Sequence, residues 1–233
     1  YSFQNSKNLP MGEGGAIVSD DDAFMDRCNS YHSYGNPFGT VAGAIGAGTI
    51  RPGTKLRLTE YQAAIGLAQL ERFDEQTNRR TKNAQFLTSL LKQIPGIIPH
   101  KLYPNVTQAA YHLYPFRYQK SEFNGLPREN FLQALRAEGV PCSSGYTPLN
   151  KMPFLGATFE TKNFKKMYPK EMLDSKKYYA ENECPENDQL CNDEAVWFTQ
   201  NLLLAEGSDM ELIATAIDKI RKNSSKLKQK TAK

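Results

Sequence analysis

Apolar positions fall at helical spacing in two windows of the chain. From Thr59 onward, Tyr61, Ile65, Ala68 and Phe73, then Phe86, Leu87, Leu90 and Leu91, keep a period near 3.6 and predict one long helix that stops at Pro95-Gly96. Thr59 and Gln62 have the Thr-x-x-Gln spacing of a capping box, which marks its start. In the second window Met210, Ile213, Ala214, Ile217 and Ile220 line one face of a final helix, with Ser208 and Glu211 spaced as a second box. Between the windows, residues 111–118 alternate like a strand. Leu126-Pro127 opens a helix through Glu138 that Gly139 closes, and residues 140–146 read as a short extended piece. Near the start, Gly15–Ser19 predicts a short strand, and Asp20, Asp21 and Asp22 cap a helix running to about Tyr34. Residues 35–53, rich in Gly, Ala, Pro and Thr, predict a mobile loop, and the polar, tyrosine-rich stretch 151–193 predicts a long excursion with short helices.

Composition narrows the class. A chain of 233 residues with 39% hydrophobic and 23% charged positions buries a sizeable core and reads as globular. The net charge of +4 is concentrated near the carboxy terminus, from Lys219 to Lys233, so a solvated tail explains it better than nucleic-acid binding. No run approaches the roughly eighteen apolar residues of a membrane span, and no secretory signal is visible, so the cytoplasm is the expected compartment. Cys28, Cys142, Cys184 and Cys191 match neither a metal site nor a dense disulfide framework and read as free thiols, with a Cys184–Cys191 pairing left open. The three histidines lack ligand spacing, and no metal site is expected.

The candidate chemistry lies in the first fifteen residues, where Lys7 sits five positions after Ser2 and five before the first glycine of Gly12-Glu13-Gly14-Gly15. A lysine amine captures an aldehyde once it sheds its proton, and a hydroxyl with glycine-rich backbone amides suits a phosphate. Pyridoxal phosphate carries both groups. Taken alone, a lysine among 29 Lys and Arg is most simply a solvated charge, and a glycine run is most simply a turn.

The segment from Ser2 to Leu9 with Gly12-Glu13-Gly14-Gly15-Ala16-Ile17-Val18 resembles the lysine segment of the DegT/DnrJ/EryC1/StrS aminotransferases. Residues 53–72, with Lys55, Arg57 and Gln62, are similar to a second family segment, and residues 111–146 to the family's carboxy-terminal domain. The resemblance implies an α/β fold: the carboxy-terminal part of a fold type I transferase that depends on pyridoxal 5'-phosphate (PLP). That part would comprise the end of the large domain (1–58), an interdomain helix (59–95), a small α+β domain (96–223) and a basic tail (224–233). It implies that Lys7 holds the cofactor as a Schiff base and then moves the proton, that Ser2 contacts the phosphate, and that Tyr146 lines the substrate pocket. Lys55 stands where relatives commonly have asparagine toward a neighbouring subunit's phosphate, so that contact is either kept by an ammonium or lost. Lysine rather than histidine at position 7 points to amino transfer over dehydration.

The implied activity moves an amino group from glutamate or glutamine to a nucleotide-linked keto-sugar or a keto-cyclitol, in a homodimer with shared active sites. The family residues that bind the pyridine ring precede the lysine and are absent from this sequence. The alternative expectation is therefore a catalytically incomplete piece that serves as an assembly or regulatory module.

Overall fold

A computed structural model describes residues 1–39 and 48–230, and of residues 229 and 230 the backbone alone. The chain divides into two units, residues 1–77 and 78–233.

In the first unit, α1 (Asp22–His32) starts where Asp21 accepts the Phe24 amide at 2.9 Å, one residue inside the predicted acidic cap. The Thr59–Gln62 capping box is present in both directions and opens α2 (Glu60–Leu70). The single helix predicted over 59–95 is two helices, because the chain turns at Glu71-Arg72 before α3 (Phe73–Leu91) begins. The strand predicted at 15–19 reduces to one antiparallel bridge, Ser2 to Gly15. A ladder needs a partner of matching length; the pairing segment here is only the first three residues, and Ile17 and Val18 stay exposed. Of the predicted loop 35–53, residues 40–47 lie outside the described residues, and the rest forms neither helix nor strand.

The second unit is built on a four-stranded antiparallel sheet in the order β1-β2-β4-β3, with β1 Ile97–Pro99, β2 Leu113–Tyr118, β3 Ser143–Ser144 and β4 Ala195–Thr199. The central strand β4 is an apolar run that periodicity left unassigned. Paired with β2 in the register Tyr114 to Phe198 and Phe116 to Val196, it turns Val196 and Phe198 to the same face as Tyr114, Phe116 and Tyr118. Those residues form the core with Leu87 and Leu91 of α3, Phe131, Leu132 and Leu135 of α4 (Arg128–Ala137), and Met210, Ile213, Ile217 and Ile220 of α9 (Gly207–Lys230). Ring contacts order it: Tyr118 stacks on Phe131 at 4.4 Å and meets the tilted ring of Phe123 at 4.7 Å, centroid to centroid. Two buried tyrosine hydroxyls of β2 are satisfied, Tyr114 by Thr88 at 2.6 Å and Tyr118 by the Leu126 carbonyl at 2.8 Å, and burial pushes both well above their ordinary pKa.

Helix α9 starts a residue before the predicted Ser208 box, and the cap is made by Asp209, whose carboxylate accepts the Glu206 amide at 2.8 Å. It continues to Lys230, so residues 224–230, read from sequence as a tail, are helical, while 231–233 lie outside the described residues. The excursion is a chain of short helices, α5 (Pro153–Phe159), α6 (Lys162–Met167), α7 (Ser175–Glu181) and α8 (Pro185–Gln189), followed by a π-helical turn over Leu190–Glu194 that delivers the chain into β4. Among the described residues, no helix is long and apolar enough to cross a membrane.

A polar clamp fastens the loop after β4 to α3. Buried Asn83 donates to the carbonyls of Leu203 and Ala205 at 2.9 and 2.8 Å, buried Arg80 donates to Gln200, and Arg79 meets Glu206 at 2.6 Å. The Asn83→Ala variant strands two carbonyls and is expected to lower unfolding free energy by about 2 kcal/mol in urea titrations. At the other end of β4, Arg117 pairs with Glu194 and holds its carboxyl below the ordinary value of 4.5. Because the folded pKa is depressed, this stabilisation is present above the ordinary carboxylate value and is lost as pH falls through the folded one. Arg117 is half exposed, so the pair is screened; Glu194→Gln is expected to cost about 1 kcal/mol at neutral pH and nothing in acid, measured by denaturant midpoints across pH.

Candidate active site

Lys7 sits at the tip of a loop closed by backbone pairing. Phe3 donates to the Gly14 carbonyl at 2.9 Å, Ala16 to Tyr1 at 3.0 Å and Met11 back to Phe3 at 2.9 Å, so residues 4–10 are held between two arms. Glycine is required where the arms meet: a Cβ on Gly15 would lie 2.7 Å from the Tyr1 carbonyl oxygen, and Gly14 has a φ of +140°. Inside the loop the Gln4 side chain accepts both the amide and the hydroxyl of Ser6, and the Lys7 amide donates to the Gln4 carbonyl at 2.9 Å, forming the turn that presents Lys7. Lys7 itself is half-buried.

Helix α2 braces this loop. Gln62, after closing its capping box, donates to the Glu13 carbonyl at 2.6 Å, and buried Met11 packs on Gly66, where an added Cβ would meet its Cε at 2.8 Å. Sequence reading assigned Gln62 only a capping role and gave Met11 none; a glycine facing a methionine carries no periodic signal. The segment 54–58 arrives from the other side. Thr54 donates to Tyr31 at 2.7 Å and Leu56 to His32 at 3.0 Å, while Lys55 bridges Ser33, so the segment runs along the end of α1 until Leu58 reaches 3.1 Å from where a Gly14 Cβ would stand.

The structure therefore gathers three of the four sequence candidates in one unit. Ser2 is exposed, and its Oγ accepts the Gln4 amide at 3.4 Å, which leaves its hydroxyl hydrogen available to a ligand. Lys55 is exposed beside the end of α1. Arg57 is half-buried, with an Nε that has no hydrogen-bond partner among the described residues. An amine, a hydroxyl, a guanidinium and glycine-rich backbone are the donor types that suit a phosphorylated aldehyde, and this unit carries all of them. A cleft of about 1080 Å³ in the same unit is lined by Tyr1, Ala16, Asp22, Met25, His32 and Leu56 among others, and does not include Lys7, Ser2 or Lys55.

Tyr146 belongs to the second unit. It follows β3, is 66% exposed, and sets its ring edge-on to Trp197 at 4.8 Å. Trp197 had no role from sequence; its alternation within β4 becomes informative only once that strand is recognised. All four cysteines are free thiols. No cluster of three or more His, Cys, Asp or Glu side chains fit to hold a metal occurs among the described residues.

A family model described as the DegT/DnrJ/EryC1/StrS aminotransferase family matches residues 1–174. An L-glutamine:2-deoxy-scyllo-inosose aminotransferase of Streptoalloteichus tenebrarius is 28% identical over 98% of the chain and 54% of its own length. An L-glutamine:scyllo-inosose aminotransferase of Streptomyces griseus is 33% identical over 66% of the chain and 37% of its own. The solved 3-amino-5-hydroxybenzoic acid synthase superposes with a TM-score of 0.70 at 26% identity, over 94% of this chain and 52% of that one. The chain spans about half the length of the curated relatives it matches, and its mixed helix-and-sheet architecture is that of part of a fold type I transferase.

If Gln62 braces the lysine loop, Gln62→Ala is expected to speed amide hydrogen exchange at Met11 and across residues 3–14 by about fivefold or more while leaving exchange in β2 and β4 unchanged.

Proposed function

Because this chain belongs to the DegT/DnrJ/EryC1/StrS aminotransferase family, we propose that it serves PLP-dependent amino transfer to a keto-sugar or keto-cyclitol, with Lys7 as the residue that binds the cofactor and carries the proton. The observation that carries this reading is the braced loop that presents half-buried Lys7 between Ser2 and the glycine turn. The names of the relatives favour a keto-cyclitol acceptor and glutamine as donor.

When bound, the cofactor supplies an aldehyde that captures amines and a ring that withdraws electrons from the bond to be broken. The rest falls to this chain. Lys7 Nζ holds the cofactor and, once an incoming amine displaces it, takes the proton from the donor's α-carbon and returns it on the same face. Ser2 Oγ, its lone pair already engaged by Gln4, donates its hydrogen to the phosphate. Lys55, exposed at the end of its segment, meets a phosphate as a point charge in place of the family's asparagine, and Arg57 adds a planar donor with one unspent N–H. Tyr146 contributes an aromatic wall to the acceptor. The proposal extends to a cytoplasmic homodimer that shares its sites between subunits. The competing reading is a module that assembles or regulates without catalysing.

The two readings separate in one experiment. Titrating the chain and its Lys7→Ala variant with pyridoxal 5'-phosphate, then reducing with borohydride and mapping peptides, is expected to place a pyridoxyl group on Lys7 with an absorbance band the variant lacks. Absence of label at Lys7 would leave the module reading in place.

A further inference from the structure

The sheet of the second unit has two faces, and only one is used by the core. On the other, Ile98 stands opposite Arg117, Arg117 opposite Ala195, and Pro115 opposite Trp197. The short turn at Leu149–Lys151 and the helical segment 184–191 lie across this face and leave an open slot of about 690 Å³ beneath them, within the size range of small-molecule sites. Ile98, Tyr146, Leu149 and Leu190 all line it, and they are 41, 66, 70 and 37% exposed, so it keeps apolar surface in contact with water. The walls are preformed. Lys151 pairs with Asp188, Asn150 donates to the Asn182 carbonyl at 2.7 Å, Gln189 to Glu194 at 2.6 Å, and Arg128 to the carbonyls of Cys191 and Ala195 at 2.9 and 3.1 Å. A ligand entering the slot therefore need not order its walls.

Charge selects the ligand. His100, Lys101 and Arg117 line the slot, and among the described residues no aspartate or glutamate does. Arg117 is committed to Glu194, and His100 spends Nδ1 on the Pro115 carbonyl at 3.1 Å, whereas exposed Lys101 makes no ion pair among the described residues. The flat elements are Trp197 and the Tyr146 ring set edge-on to it, a corner that receives a third ring by offset or edge contact.

The geometry points to a binding site for a small aromatic acid, its ring against Trp197 and Tyr146 and its carboxylate at Lys101. This site goes beyond the amino-transfer reading: it shares Tyr146 with it but otherwise stands on the sheet face, the 184–191 segment and Lys101 of the second unit.

Calorimetry of the full chain with biphenyl-4-carboxylate and with its neutral amide tests the assignment, without added pyridoxal phosphate, so that failure here leaves the Lys7 reading intact. One molecule of the acid is expected to bind per chain, about tenfold more tightly than the amide. Lys101→Glu is expected to weaken the acid about tenfold and leave the amide unchanged, and Lys101→Arg to retain acid binding. The bound acid should slow maleimide labelling of Cys184 and Cys191, which both line the slot, and quench Trp197, the chain's single tryptophan. Absence of saturable binding, equal affinity for acid and amide, indifference to Lys101→Glu, or unchanged labelling of both cysteines would each overturn the proposal.

Discussion

The second unit depends on the register between β2 and β4. Setting Tyr114 against Phe198 and Phe116 against Val196 sends every large buried ring of these strands to the helical side, and leaves Pro115, Arg117 and Trp197 on the other. A slip of one residue would exchange the two sets, placing a charged guanidinium and a proline in the core and three aromatic rings on the open face. Nearly eighty residues separate the strands, so local turn geometry cannot set this register. Burial of Tyr114, Phe116, Tyr118, Val196 and Phe198 against α3, α4 and α9 does.

Polar groups then hold both ends of β4. At its exit, Arg79, Arg80 and Asn83 of α3 bind the side chains of Gln200 and Glu206 and the carbonyls of Leu203 and Ala205. At its entrance, the Arg117–Glu194 pair and the two Arg128 hydrogen bonds secure the π-helical turn that ends the excursion. The same contacts that terminate the excursion also hold its final segment over the free sheet face, so the slot there is a consequence of how the chain returns to the sheet.

In the first unit the governing constraint is close backbone approach. Two arms of the lysine loop meet where only glycine fits, and α2 supports the loop through one glutamine side chain and one methionine–glycine contact. The placement of the Lys7 loop thus rests on a helix whose own start is defined by Thr59 and Gln62, which makes the capping box part of the loop's scaffold as well as a helix signal.

Much of this was legible from one-dimensional pattern. The α1 cap, the Thr59–Gln62 box, the α4 helix ending before Gly139, the apolar face of α9 and the lysine–glycine segment depend on neighbours within a few residues, and local chemistry decides them. The break between α2 and α3 was not legible, because residues 71 and 72 carry no glycine or proline to announce it. The strand predicted at 15–19 failed because a strand exists only where a partner extends, and β4 went unassigned because a run of four apolar residues suits a buried strand or a helix equally well. The sequence by itself determined which residues could carry chemistry and where most helices begin and end. Only the tertiary structure decided which face each strand presents, that Gln62 braces the lysine loop, and that Trp197, Tyr146 and Lys101 line one slot, because those outcomes depend on pairing between segments far apart in the chain.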